Sequence, residues 1–246
     1  MEMEMKGLLL QYDDRSPLWA EKLVERNALA AKRLHFDHLY LNESEFDESI
    51  PPYWRKVFLV EKYLKRGHPV VVWIDSDAVL VNETEFLSLL NNEMSSTYCI
   101  AFSSNPGILR KEWWFCRLWS APFCAGVFVV KNTEKSLDIL GEWKRHFNPT
   151  LWTAPTLESK NKKWLAVGLY GGSSYEQGCF ELYIFRSSNY RVHLLQFDHT
   201  RLNYLPLKGE ACTAKTIFLH YWNGNRKMIW RDWGGDLQLY SEHTLR

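Results

Sequence analysis

The sequence predicts an α/β protein, one domain built on a mixed, mainly parallel sheet flanked by helices. Three observations carry this expectation. A chain of 246 residues is long enough for one substantial core. Three short apolar runs, GLLLQY (7–12), HLYLN (38–42) and VVVWI (70–74), read as strands. Two stretches of helical periodicity separate them, and strand–helix alternation of this kind is the signature of βαβ units and a parallel sheet covered on both faces.

The first run ends in Asp13 and Asp14, which open a loop. Ser16 and Pro17 fit the N-cap and first position of a helix. Behind them Trp19, Ala20, Leu23, Val24, Ala28 and Ala31 recur at helical spacing as one apolar stripe. Pro51 and Pro52 break the chain before a second helix, which carries Trp54, Val57, Phe58 and Leu64 on one face and stops at Gly67. The second half is less regular. YCIAFSS and FCAGVFVVKN read as strands, and TEKSLDILGEWKRHF reads as a helix capped by Thr133 with Leu137, Leu140 and Trp143 inward. The polar stretch 148–174 exceeds an ordinary loop and predicts a lid or functional insertion, with Gly171 and Gly172 as hinges. EQGCFELYIF then reads as helix and TIFLHYW as a last strand.

Thirty basic and 29 acidic side chains leave a formal net charge of +1, so no general attraction to nucleic acid or anionic membrane is implied. An anionic ligand must be met by a local site. Five scattered cysteines without a C-x-x-C pair argue against a disulfide framework or a zinc site and point to a reducing, cytoplasmic setting. No apolar run approaches the roughly 20 residues of a membrane span, and the first residues lack a signal-peptide pattern, so a soluble chain is expected. Twelve Trp are many; indole faces can stack on sugars, but core and rim packing is the expected role of most of them.

The chemistry concentrates in VVVWIDSDAVLVN (70–82), where a buried strand exits into Asp75, Ser76 and Asp77. Ligands of open parallel sheets bind outside the carboxyl ends of the strands. Two carboxylates at i and i+2 on an extended exit suit a hard divalent cation that keeps some of its water. Capping of the next turn is the plainer alternative. Two enzyme classes place D-x-D after such a strand. In haloacid-dehalogenase-type phosphatases Asp75 would be the nucleophile; in nucleotide-sugar glycosyltransferases the pair would hold a metal on the donor's diphosphate. The phosphatase pattern opens with this strand, whereas here two strands precede it. The closing segment, FLHYWNGNRKMIW, adds His220, Gly224 and Lys227. Imidazole can complete a carboxylate metal site and shifts preference from Mg2+ toward Mn2+. Glycine admits a diphosphate to the backbone, and lysine supplies a point charge. A non-catalytic sugar-binding module is a third reading, suited to the Trp content but not to the acids and His220 together.

These residues resemble the GT-A (Rossmann-like) glycosyltransferases, especially yeast-type α-1,2-galactosyltransferases, plant xyloglucan xylosyltransferases and the glycosyltransferases of large algal viruses. YWRKVFLVEKYL is similar to that family's Trp-x-Lys helix, VVWIDSDAVL to its metal strand, and FCAGVFVVKNTEKSLDILGEW to its N-T-G-x-F-x-x-R-N block. YEQGCF is similar to its acid–Gln pair and FLHYWNGN to its terminal His–Gly segment. Cys124 and Ala125 stand where the family has Asn and Thr. The resemblance implies transfer of a hexose or pentose from a nucleotide sugar, UDP above GDP, to a hydroxyl of a glycan or glycoprotein acceptor. It implies Mn2+ or Mg2+ on Asp75, Asp77 and His220. Donor contacts are then expected from Tyr12, Asp13, Asp14, Arg15, Lys56, Asp75, Ser76, Gly126, Gly224 and Lys227. Gly126 would admit the sugar, although tight packing between strands selects the same residue. Glu176 and Gln177 are the catalytic candidates: Glu176 as base if the enzyme inverts, the pair as sugar contacts if it retains. Residues 1–82 would form the nucleotide-binding half, and residues 83–246 the half that meets the acceptor and completes the metal site.

Overall fold

The computed structural model describes residues 6–13, 18–41, 49–94, 97–104, 122–155, 163–168, 172–205, 212–222, 226, 228–229 and 232. The Ser16–Pro17 cap lies outside them. Strand β1 (Leu8–Tyr12) leads through helix α1 (Leu18–Arg33) to β2 (Asp37–Leu41), and through α2 (Pro52–Lys65) to β3 (Val70–Asp75). There follow β4 (Ala78–Leu80), α3 (Glu83–Ser88), β5 (Ile100–Ser103), β6 (Val127–Lys131) and α4 (Glu134–Arg145). A short pair, β7 (Trp152–Thr153) and β8 (Leu165–Ala166), precedes α5 (Glu176–Cys179), which runs into a π turn at Phe180–Phe185. The chain then passes through α6 (Ser188–Arg191), β9 (Leu194–Phe197) and α7 (His199–Leu202) to β10 (Phe218–His220).

The main sheet has the order β2-β1-β3-β6-β5-β9. β1, β2 and β3 are mutually parallel, as their helical crossovers require, and β5 is parallel to β9. β6 runs antiparallel to both β3 and β5, so the sheet is mixed as expected. Alternation along β3 feeds two cores. Val71 and Trp73 join the apolar cluster under α2 and α4, while Val70, Val72 and Ile74 join the cluster under α1. Burial on both faces explains why these strands read as unbroken apolar runs.

Three helical stripes need adjustment. On α1 the buried residues include Ala20, Leu23, Asn27, Ala30 and Ala31, whereas Val24 and Ala28 are half-buried. On α2, wedged between the sheet and α4, Phe58 is half-buried while Leu59, Val60 and Tyr63 are buried. On α4 it is Ile139 that lies inward with Leu140 and Trp143, and Leu137 is half-buried. Thr133 caps α4 as expected, its side chain accepting from the Ser136 backbone N–H at 3.0 Å. In the expected lid, Trp152 is buried, Val167 N–H donates to Leu151 O at 2.8 Å and Ser174 Oγ donates to Val167 O at 2.6 Å. Trp152, with Leu151, Trp164 and Ala166, packs on the core, whereas Leu165 and Val167 are exposed and the two hydrogen bonds stay within the stretch; 156–162 and 169–171, including the hinge candidate Gly171, lie outside the described residues. No helix among the described residues is long and apolar enough to cross a membrane.

Candidate active site

The site forms where β3 leaves the sheet. Asp75 lies across from Tyr12 at the end of β1, and its backbone N–H donates to Gly126 O at 2.7 Å. After Ser76 and Asp77 the chain enters β4, which pairs antiparallel with β10 so that Ala78 faces His220. Asn27 of α1 holds β4 in place: its Nδ2 donates to Ala78 O at 3.0 Å and its Oδ1 accepts from Leu80 N–H at 2.9 Å. Tyr221 N–H donates to Asp77 O at 2.8 Å. A histidine 143 positions away is thereby delivered to the acid pair.

His220 Nε2 lies 3.1 Å from Asp77 Oδ1 and 3.9 Å from Asp75 Oδ2. One ligand atom from each of Asp75, Asp77 and His220 falls within 4.8 Å of the others, a spacing a single cation can bridge. The donor set, two carboxylates and an imidazole, fits a divalent ion of the Mn2+ or Mg2+ kind. The orientation of the imidazole is set from behind. Asn203 Nδ2 donates to Val127 O at 3.2 Å, which turns Asn203 Oδ1 toward His220 Nδ1 at 3.1 Å. Nδ1 therefore carries a proton and Nε2 faces the carboxylates, the arrangement that metal-ligating histidines share. Gly126 makes room for this ring. A Cβ there would stand 2.0 Å from His220 Cε1 and 2.4 Å from Nδ1, so the close approach that Gly126 permits is to the imidazole.

The acids are balanced by cations. Asp77 Oδ2 accepts from Arg226 Nε at 2.8 Å. Burial opposes the charge on Asp77, but His220 and Arg226 outweigh it and hold the carboxyl well below its usual range. Burial likewise opposes a charged His220, and the Asp77 carboxylate overrides it, pushing His220 up to about 10. Asp75 is the more open of the pair, its side chain 31% exposed. Its Oδ1 accepts from Trp73 Nε1 at 2.7 Å and from Lys56 Nζ at 3.0 Å. Lys56, expected to reach the donor, has its ammonium committed inside the protein: it also donates to Ala125 O at 3.0 Å and faces Glu176 Oε1 at 3.6 Å. Although burial disfavours its charge, Asp75 and Glu176 raise its pKa.

Glu176 is buried, and burial pushes it up to about 7, with Lys56 pulling down and Asp75 pushing up. Among the described residues its Oε2 has no hydrogen-bond partner, a buried acceptor left unsatisfied. The next residue, Gln177, reaches Ala125 N–H through Oε1 at 3.4 Å. On the other side of Asp75, Ser76 Oγ donates to the buried Asp13 carboxylate, and Arg55 Nη1 donates to the Tyr12 hydroxyl. Asp14, Arg15, Gly224 and Lys227 lie outside the described residues. Sequence reasoning missed Trp73, Asn203 and Arg226. Trp73 had a signal, since residues two apart on a strand share a face, and Arg226 sits beside the lysine that attracted notice. Asn203 had none.

The fold is that of GT-A nucleotide-sugar glycosyltransferases. A crystal structure of a glycosyltransferase involved in the glycosylation of the major capsid of PBCV-1 superposes with a TM-score of 0.60 at 13% identity, over 93% of this chain and 98% of that one. The galactosyltransferase LgtC, solved with donor and acceptor sugar analogs, gives 0.50 at 10% identity, over 96% and 94%. In sequence, the chain is 28% identical to xyloglucan 6-xylosyltransferase 4 of Arabidopsis thaliana over 121 residues, 48% of this chain and 22% of that protein. It is 23% identical to glycosyltransferase 6 of Arabidopsis thaliana over 209 residues, 81% of this chain and 41% of that protein. The chain thus spans well under half the length of these curated relatives. No family model matches it.

Proposed function

We propose that this chain is a metal-dependent glycosyltransferase that moves a hexose or pentose from a nucleotide sugar, a UDP-sugar above others, to a hydroxyl of a glycan or glycoprotein. The observation that carries the reading is the convergence of Asp75, Asp77 and His220 within 4.8 Å at the carboxyl end of a central strand. Asp75, Asp77 and His220 would hold the ion, and a divalent cation bound there would neutralise charge on the leaving diphosphate. The xylosyltransferase relatives support a pentose donor.

The chain's own residues supply the rest. Tyr12, Asp13 and Ser76 would meet the base and ribose; Asp14, Arg15, Gly224 and Lys227, outside the described residues, are proposed as further donor contacts on the sequence alone. The buried Oε2 of Glu176 has no hydrogen-bond partner among the described residues and would accept a hydroxyl proton from an acceptor bound against it, and a pKa of about 7 lets this carboxyl take and release one near neutrality. In an inverting reaction Glu176 would receive the acceptor's proton; in a retaining one Glu176 and Gln177 would contact the transferred sugar. Residues 1–82 would then serve the nucleotide and 83–246 the acceptor and the third metal ligand. The scattered cysteines, without a C-x-x-C pair, are the ground for placing the chain in a reducing, cytoplasmic setting.

Calorimetry tests the reading. UDP should bind in the presence of Mn2+ and not after chelation, and Asp77→Asn should remove that dependence. UDP binding that survives exhaustive chelation would defeat it, and phosphate release from a phosphomonoester would favour the phosphatase instead.

A further inference from the structure

We propose that Trp73, acting with Lys56, is a positioning residue that turns Asp75 so that one carboxylate oxygen, Oδ2, is left for the metal ion. The inference rests on the metal-site reading above and adds residues to it. Trp73 is buried at 1% exposure in the core beneath α2, two residues before Asp75 on the same face of β3. Its indole N–H reaches Asp75 Oδ1 at 2.7 Å, shorter than the usual N–H···O distance, as expected for a charged acceptor. Lys56 Nζ meets the same oxygen at 3.0 Å and lies 5.5 Å from the centroid of the Trp73 ring.

Two donors fixed in the core therefore claim Oδ1, and the remaining oxygen is the one that faces His220, at 3.9 Å. Asp75 needs such a clamp more than Asp77 does. Asp77 is buried between His220 and Arg226, whereas the Asp75 side chain is 31% exposed at a strand end and would otherwise sample several rotamers. Outer groups of this kind typically change metal affinity by about 10- to 100-fold when removed.

The test is Mn2+ binding, read from the electron paramagnetic resonance signal of free Mn2+, on the full chain. Trp73→Phe keeps the ring in the core and deletes the donor; Lys56→Met deletes the second donor and covers the case in which Trp73→Phe does not fold. Trp54→Phe is the control, since it removes another buried indole N–H, bonded at 2.9 Å to Ser174 O. Each clamp variant should weaken Mn2+ binding about 10- to 100-fold, while Trp54→Phe, destabilised to a similar extent, binds as the wild type does. In an Asp75→Asn background Trp73→Phe should change the affinity by less than about two-fold, because the clamp acts through Asp75. Wild-type affinity in the folded clamp variants, or a loss that adds fully to that of Asp75→Asn, would overturn the proposal. If the wild type takes up no Mn2+, or Asp77→Asn binds it equally well, the metal-site reading itself fails and the clamp falls with it.

Discussion

Replacing Gly126 by alanine adds one methyl group and tests the site without touching a ligand. The new Cβ would lie 2.0 Å from His220 Cε1 and 2.4 Å from Nδ1, and contacts below 3.0 Å do not persist. The imidazole must therefore retreat by about 1 Å or more to restore ordinary packing. It has little space to do so. Asn203, fully buried, holds Nδ1 at 3.1 Å, and the His220 backbone is tied to β4 on one side and to Tyr204 O at 2.9 Å on the other. The ring can only swing out of the line that joins it to Asp77. Overpacking of this sort costs about 1–3 kcal/mol of stability. A displacement of about 1 Å at a metal ligand should weaken Mn2+ binding at least ten-fold, about 1.4 kcal/mol. Thermal melting reads the first quantity and Mn2+ titration the second. A Gly126→Ala protein that binds Mn2+ within about two-fold of the wild type would refute the claim that this glycine exists to seat His220.

Two further outcomes follow from the acids. Glu176 has its folded pKa raised from 4.5 to about 7 by burial, so the stability tied to its proton is fully present below pH 4.5 and is lost as pH rises through 7. Urea unfolding between pH 5 and 8 should show wild-type stability falling relative to Glu176→Gln, by an amount on the order of 3 kcal/mol; parallel profiles would contradict a buried, protonated carboxyl. Glu61 joins α2 to α4 through Lys144 and also meets Lys65 at 2.9 Å; although burial opposes it, these lysines lower its pKa. Its contribution is present above pH 4.5 and fades as pH falls through the lowered value, so Glu61→Gln should cost about 1 kcal/mol at pH 7 and nothing in strong acid, as read by thermal melting.

What the sequence disclosed and what it hid divide along a physical line. The strands β1, β2 and β3 and helices α1, α2 and α4 are legible because burial on one or two faces imposes a local period. The acid pair is legible because it follows such a strand directly. β4, three residues long, is not, since Ala78–Leu80 is held by Asn27 and by β10, partners 51 and about 140 positions away. β7 and β8 escape for the same reason, with two residues each. Within the site, His220 is visible through its spacing to Gly224 and Lys227, but the devices that aim it are not. Asn203 acts through a hydrogen bond that leaves no periodic trace, and Gly126 reads from sequence as a sugar contact, with strand packing as the alternative, while the imidazole beside it shows only in the structure. Lys56 reads from sequence as an exposed helix lysine able to reach a ligand, and only the tertiary structure shows its ammonium bonded to Asp75 and Ala125 O, with Glu176 beside them. Sequence pattern thus reports which groups carry charge. Which of them already have partners is decided by tertiary hydrogen bonds, and here these occupy Asp75 Oδ1 and, among the described residues, leave Glu176 Oε2 without one.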